Sequence, residues 1–272
     1  MPAPEPSLEK PVRPQGWARG REEPSCPPGW HIGPPDFVGV GAQRCGTGWW
    51  YGGAIRRHPQ VAIAPERRKE VHFFDRYWST DPEPDFVARY HRHFPRPEGS
   101  ITGEWTPRYM HDPWTLPLLA EAASGARFLV LLRDPIERYR SGIRHQADRS
   151  RRRGHDPPDI AIVGDAIARG LYHHQVARAL ELLGRDSVLV LQYERCIAEP
   201  LAEMRRTHAF LGLEPLEKLP ARLRRERAPA EKPSIPSRLR SELRARFADD
   251  VRRLVALCPE IDPELWPNFS DI

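Results

Sequence analysis

Apolar residues in this chain gather in short continuous runs separated by longer stretches with helical spacing, and they do not alternate with polar ones. The clearest run is RFLVLL at 127–132, which predicts a strand buried on both faces; FVGV at 37–40 and VLVL at 188–191 repeat the pattern. A further short apolar run falls at 61–64, and a short strand is predicted around 101–103. Helical spacing falls at 49–57, 83–93, 114–123, 136–148, 160–183, 199–211 and 238–257, with Pro135 suited to the first turn of the fourth. Strands alternating with helices predict an α/β chain, a three-layer fold with a central parallel sheet flanked by helices. Two stretches read as loops: RSRRRGHDPP at 149–158, basic and expected to be mobile, and the Pro-interrupted 220–238. Residues 1–35 are rich in Pro and charge and hold no apolar core segment, which predicts a disordered tail ahead of one domain at 36–272.

Composition narrows the function. With 42 basic and 37 acidic residues the net charge is +5, enough to favour an anionic ligand but not to call for nucleic acid. Only four of the basic residues are lysine (10, 69, 218 and 232), a skew that fits a GC-rich bacterial genome and carries little functional weight. Cys26, Cys45, Cys196 and Cys258 lack C-x-x-C spacing, arguing against a zinc site or a disulfide framework. No run of 18 apolar residues occurs, and the N-terminus does not read as a signal peptide. The expectation is a soluble cytoplasmic protein without a membrane span.

Three polar clusters fall where strands of a parallel sheet end, the place ligands collect. The first is the loop after the first strand, FVGVGAQRCGTGWW at 37–50, where backbone amides and a helix start can face an anion. Gly41 and Gly46 have the G-x-x-x-x-G spacing of a nucleotide loop, but Thr47 and Gly48 stand where Lys and Ser/Thr should follow, and the cation is Arg44. Taken alone, the loop is equally a structural turn. The second cluster is RRKEVHFFD at 67–75, where Glu70 and His72 share a face of an extended segment and form either a carboxylate–imidazole couple or a surface ion pair with Arg67 or Arg68. The third is Arg133-Asp134-Pro135 with Arg138 and Ser141 on the next helix, suited to a second phosphate.

Together GAQRCGT (41–47), KEVHFFD (69–75) and LRDPIERYRS (132–141) resemble, in order and separation, the three signature segments of sulfotransferases that use 3′-phosphoadenosine 5′-phosphosulfate. The likeness is to the carbohydrate branch, the heparan-type glucosaminyl enzymes and their bacterial relatives. It extends over 36–214 through GEWTPRY (103–109), GLY (170–172), YER (193–195) and FLGL (210–213). The resemblance implies that Gln43, Arg44, Cys45, Gly46, Thr47, Gly48 and Trp49 bind the 5′-phosphosulfate, Arg44 neutralising the bridging oxygen, while Arg133 and Ser141 bind the 3′-phosphate. It implies Glu70 as general base, His72 and Asp75 orienting it or the acceptor, and catalysis by Glu70, Arg44 and His72 with no metal. The implied acceptor is a hydroxyl or amine of a small molecule or glycan.

The chain departs from the pattern in three places. Trp105 stands where the glucosaminyl enzymes have a glycan-contacting Lys, which suggests a flatter or less acidic acceptor; Gly48 removes a possible phosphate contact; and the C-terminal donor loop has only Arg224, Arg225 and Arg227 as candidates. Two other readings stay open: a nucleoside-triphosphate kinase with Asp134 on Mg²⁺, and a non-catalytic nucleotide-binding protein.

Overall fold

The computed structural model describes residues 23–64, 69–152, 160–224 and 234–272. Its first element, β1 (His31–Ile32), lies inside the segment expected to be tail. The buried strand β2 (Phe37–Gly41) runs into a turn and the short helix α1 (Thr47–Trp50), which continues as a π-helical stretch, Tyr51–Ile55. The next elements are α2 (Phe86–His91), β3 (Pro95–Arg96), β4 (Gly103–Trp105), α3 (Thr115–Ala122), β5 (Arg127–Leu132) and α4 (Pro135–Arg152). They are followed by α5 (Ile160–Ala168), α6 (Tyr172–Leu183), β6 (Val188–Gln192), α7 (Tyr193–Ala198), α8 (Pro200–Leu211), α9 (Ala221–Arg224) and α10 (Ser237–Leu257). β1 pairs antiparallel with β3, so part of the expected tail is folded onto the domain.

The central sheet is parallel throughout, in the order β4-β2-β5-β6. Its strands β2, β5 and β6 are the three continuous apolar runs, buried along most of their length because helices cover both faces. On one side, α8 locks against the helix after β2: Trp50 Nε1 donates to Thr207 Oγ1 at 3.2 Å, and the His208 ring is 2.7 Å from the Ala54 carbonyl. Elsewhere α6 packs on α3 and α10. The chain leaves β2 for β4 on one side and returns to β5 on the other, so the carboxyl end of β2 is a topological switch point, where this architecture leaves a crevice.

Several boundaries differ from expectation for local reasons. The apolar run at 61–64 makes one parallel bridge, Val61 to Ile101, and no full strand; the strand expected at 101–103 lies at 103–105, where Gly103 to Trp105 meet Phe37 to Gly39 of β2. The helix expected over 160–183 is two helices, because the Asp250 carboxylate of α10 caps a new start by accepting from the amides of Tyr172 (2.7 Å) and His173 (3.1 Å). α4 reaches Arg152, taking in the first part of the loop expected at 149–158; residues 153–159 lie outside the described residues. Among the described residues no helix is long and apolar enough to cross a membrane.

Candidate active site

β2 ends in the loop that the sequence singled out. Gly46 has φ of 89°, and a Cβ there would fall 2.5 Å from the Tyr193 ring, so only glycine serves. Arg44 also adopts a left-handed φ, 69°. The first intrahelical bonds run from Trp49 and Trp50 to the Gly46 carbonyl, which places the amides of Thr47 and Gly48 in the turn that helical bonding leaves open. Cys45 corrects an expectation: its side chain is fully buried, with Sγ 3.4 Å from the Tyr172 hydroxyl, and burial pushes the thiol up to about 11. Its side chain fills the core under the loop and does not line the cleft.

The end of β5 brings the second cluster alongside. The Arg133 guanidinium lies 4.5 Å from the centre of the Tyr193 ring, and its buried Nε has no hydrogen-bond partner among the described residues. Asp134, fully buried, accepts from the amides of Ile136 and Glu137 with one oxygen and from the backbone and side-chain nitrogens of Asn268 with the other. Glu194 accepts from the Asp134 amide and from Trp266 Nε1, so the C-terminal segment braces the turn that carries Arg133. Two turns into α4, Ser141 Oγ receives a bond from Arg44 Nε at 3.3 Å, joining the first cluster to the third.

The segment carrying the second cluster is stitched to β4 and the turn after it. The Trp105 amide donates to the Lys69 carbonyl, Val71 N–H to Glu104, His72 N–H to Thr106 Oγ1 and Phe73 N–H to the Tyr109 hydroxyl. Glu104, itself fully buried, also accepts from Tyr90, Tyr109 and Thr106, so one internal carboxylate organises this wall. His72, at a left-handed φ of 55°, sits between two carboxylates: Nδ1 is 2.8 Å from Asp75 Oδ2 and Nε2 is 3.0 Å from Glu70 Oε2. Lys69 Nζ donates to Glu70 Oε1 at 3.1 Å and to Thr47 Oγ1 at 3.0 Å. Burial alone lowers the His72 pKa, but the bonds to Asp75 and Glu70 outweigh it and raise the imidazole to about 9. Burial likewise pushes Glu70 up, and the His72 hydrogen bond and the Lys69 charge reverse this, holding it at about 2. Asp75 is fully buried, so it orients the imidazole from behind and does not itself face an acceptor.

Trp105 is a second correction. It has no exposed surface, its ring lies where a Cβ on Gly39 would be, 2.1 Å away, and its indole N–H donates to the Gly41 carbonyl at 3.0 Å. It props up the floor of the sheet and does not meet an acceptor.

The three clusters open on one cleft of about 490 Å³. Gln43, Arg44, Gly46, Thr47, Gly48 and Trp49 line it together with Glu70, Arg133 and Ser141. It also holds residues to which the sequence assigned no donor-binding or catalytic role. Lys69 and Pro107 come from the stitched wall, His145, Gln146 and Arg149 from the face of α4 beyond Ser141, and Arg222 from α9, where its guanidinium donates to the Gly48 carbonyl at 3.2 Å. Helical spacing from Ser141 through His145 to Arg149 was the available signal for α4. Of the C-terminal arginines expected to close over the loop, Arg224 is exposed on α9 and does not line the cleft, while Arg225 and Arg227 lie outside the described residues. Among the described residues, five cations (Arg44, Lys69, Arg133, Arg149 and Arg222) thus face one carboxylate, Glu70. A phosphate- and sulfate-bearing ligand suits this charge and the orphaned Arg133 Nε. The kinase reading loses its metal-binding residue, since Asp134 is buried and engaged on both oxygens by the α4 start and Asn268.

Known proteins resemble this chain in sequence and fold. The chain is 26% identical to a sulfotransferase of Alicyclobacillus acidocaldarius of known structure, with a TM-score of 0.61 over 85% of this chain and 98% of the other. It is 33% identical over 107 residues to the membrane-associated sulfotransferase kil1 of Dictyostelium discoideum, covering 38% of this chain and 21% of that protein. It is 29% identical over 173 residues to heparan sulfate glucosamine 3-O-sulfotransferase 3A1 of Mus musculus, covering 58% of this chain and 41% of that one. The chain therefore spans less than half the length of these two curated relatives. The sulfotransferase domain profile matches residues 34–243, which takes in the loop after β2, the Glu70 segment, the β5–α4 turn and the Arg222 helix, and the chain belongs to the sulfotransferase family.

Proposed function

We propose that this chain transfers a sulfuryl group from 3′-phosphoadenosine 5′-phosphosulfate to a hydroxyl or amine of a carbohydrate or secondary-metabolite acceptor, with one domain from residue 36 onward doing the work. The observation that carries the reading is the convergence of the loop at 43–49, Arg133 with Ser141, and Glu70 on one cationic cleft. In this reading the loop amides, Arg44 and Arg222 hold the phosphosulfate end and Arg133 with Ser141 the 3′-phosphate. The donor supplies an activated sulfuryl group with a phosphate leaving group. Arg44 neutralises charge as that group departs, Glu70 accepts the acceptor's proton, and His72, charged and fixed by Asp75, keeps Glu70 in place. In-line positioning and anion stabilisation suffice, by analogy with phosphoryl transfer.

The test is calorimetric titration with 3′-phosphoadenosine 5′-phosphate beside Mg-ATP, followed by Glu70→Gln. The bisphosphate should bind and Mg-ATP bind weakly or not at all. Glu70→Gln should keep bisphosphate affinity within about threefold and lose about 10²-fold or more in transfer, the usual worth of a positioned base. Preference for Mg-ATP would overturn the donor assignment, and full activity in Glu70→Gln would remove Glu70 as the base.

A further inference from the structure

Lys69 lines the cleft between the loop and Glu70, and neither the donor nor the base assignment uses it. Its carbonyl is tied to the Trp105 amide, so its backbone is fixed by β4, while its ammonium spans from the loop to the base: 3.0 Å to Thr47 Oγ1 and 3.1 Å to Glu70 Oε1. Its side chain is 18% exposed, and burial lowers its pKa against the partly offsetting pull of Glu70. Only four of the 42 basic residues in the chain are lysine, yet one stands here. A compact ammonium on a flexible stem, with three rotatable donors, can exchange one oxygen partner for another.

The resting geometry also poses a chemical problem. A carboxylate that accepts from both Lys69 and His72 is held far below the usual range, and as a base it is weak until one donor leaves. His72 is pinned by Asp75 on its other nitrogen; Lys69 is the donor able to move.

Building on the donor assignment above, we propose that Lys69 is a catalytic residue of sulfuryl transfer. Its ammonium leaves Glu70 to hold the sulfuryl oxygens beside Thr47, and the carboxylate, with the Lys69 bond released and the His72 bond kept, takes the acceptor's proton. As the acceptor heteroatom bonds to sulfur, the bond from sulfur to the bridging oxygen breaks. That electron pair stays on the phosphate, which departs as 3′-phosphoadenosine 5′-phosphate, and the acceptor's proton ends on Glu70.

The experiment needs neither turnover nor a known acceptor. Orthovanadate, an oxyanion able to take five-coordinate geometry at the transfer position, is titrated into protein saturated with 3′-phosphoadenosine 5′-phosphate, using wild type, Lys69→Met and Lys69→Arg. Lys69→Met should bind the bisphosphate within threefold of wild type, which also reports correct folding, and lose vanadate affinity by about tenfold or more, the loss of one charge-assisted contact. Lys69→Arg should regain part of that loss. Equal vanadate affinity in wild type and Lys69→Met, no vanadate binding to the wild-type complex, or a parallel fall in bisphosphate affinity would each overturn the role, the last making Lys69 a support of the loop through Thr47. Failure of wild type to bind the bisphosphate at all would fall on the donor assignment itself and take the role of Lys69 with it.

Discussion

At the residue scale, His72 shows how a correct pairing can arise from a geometry different from the one expected. An extended segment puts Glu70 and His72 on one face; the chain instead turns through a left-handed φ of 55° at His72, and this kink lets the ring reach Glu70 and Asp75 together. Non-glycine residues in that region cost energy and persist where their surroundings hold them, here through the His72 amide on Thr106. The imidazole is raised to about 9 in the folded protein, against about 6.5 in an unfolded chain. The folded state therefore binds the proton more tightly, so the stabilisation is fully present below about pH 6.5 and is lost as pH rises through about 9. Thermal unfolding of wild type and His72→Gln across pH 6 to 10 should show a gap in midpoint that is widest near pH 6 and closes by pH 10, and transfer should fall on the same alkaline limb. Parallel curves over the whole range would remove the imidazolium from both roles.

At the scale of elements, α4 is held at its start by something the sequence does not reveal. Arg133-Asp134-Pro135 reads locally as a strand end followed by a helix start, and the Asp134 cap agrees with that reading. The second half of the cap is Asn268, 134 residues on, and Trp266 secures the neighbouring Glu194. Long-range partners of this kind explain most of what was illegible: Asp250 splitting the helix at 160–183, Glu104 ordering the Glu70 segment, and Arg222 reaching Gly48 from a helix too short to show a period. What was legible, the strands β2, β5 and β6 and the loop after β2, is what burial on both faces or tight local geometry writes into adjacent residues. Asp134→Ala should remove the cap and strand the half-buried Asn268 nitrogens, costing about 2–4 kcal/mol. Denaturant unfolding measures that cost. Because the turn carries Arg133, affinity for 3′-phosphoadenosine 5′-phosphate should fall too, and more steeply than in Asn268→Ala, which leaves the Ile136 and Glu137 amides capped. A stable Asp134→Ala protein with unchanged affinity would separate the brace from the site.

Across the whole molecule, charge is unevenly used. The net charge of +5 is modest for 272 residues, and many arginines are spent on ion pairs along helices, such as Arg140 with Glu137 and Arg253 with Asp249. The cleft is different: five cations converge on a space of about 490 Å³ with one carboxylate among them, and that carboxylate is taken up by Lys69 and His72. Such a cleft concentrates positive potential and draws multiply charged anions toward it, raising their association rate. Paired charges such as these nearly cancel at a distance, whereas the excess of cations in the cleft does not. Screening shortens its reach from about 10 Å at 0.1 M salt to about 3 Å at 1 M. Affinity for 3′-phosphoadenosine 5′-phosphate should therefore drop about tenfold or more over that range, mostly through a slower association rate. Arg222→Ala should flatten the dependence, since it removes one of the five charges, whereas Arg253→Ala, on an exposed helix pair, should leave it unchanged. Stopped-flow binding at several salt concentrations reads both quantities. A salt-independent association rate would mean that the loop amides and Ser141, and not the summed charge of the cleft, select the ligand.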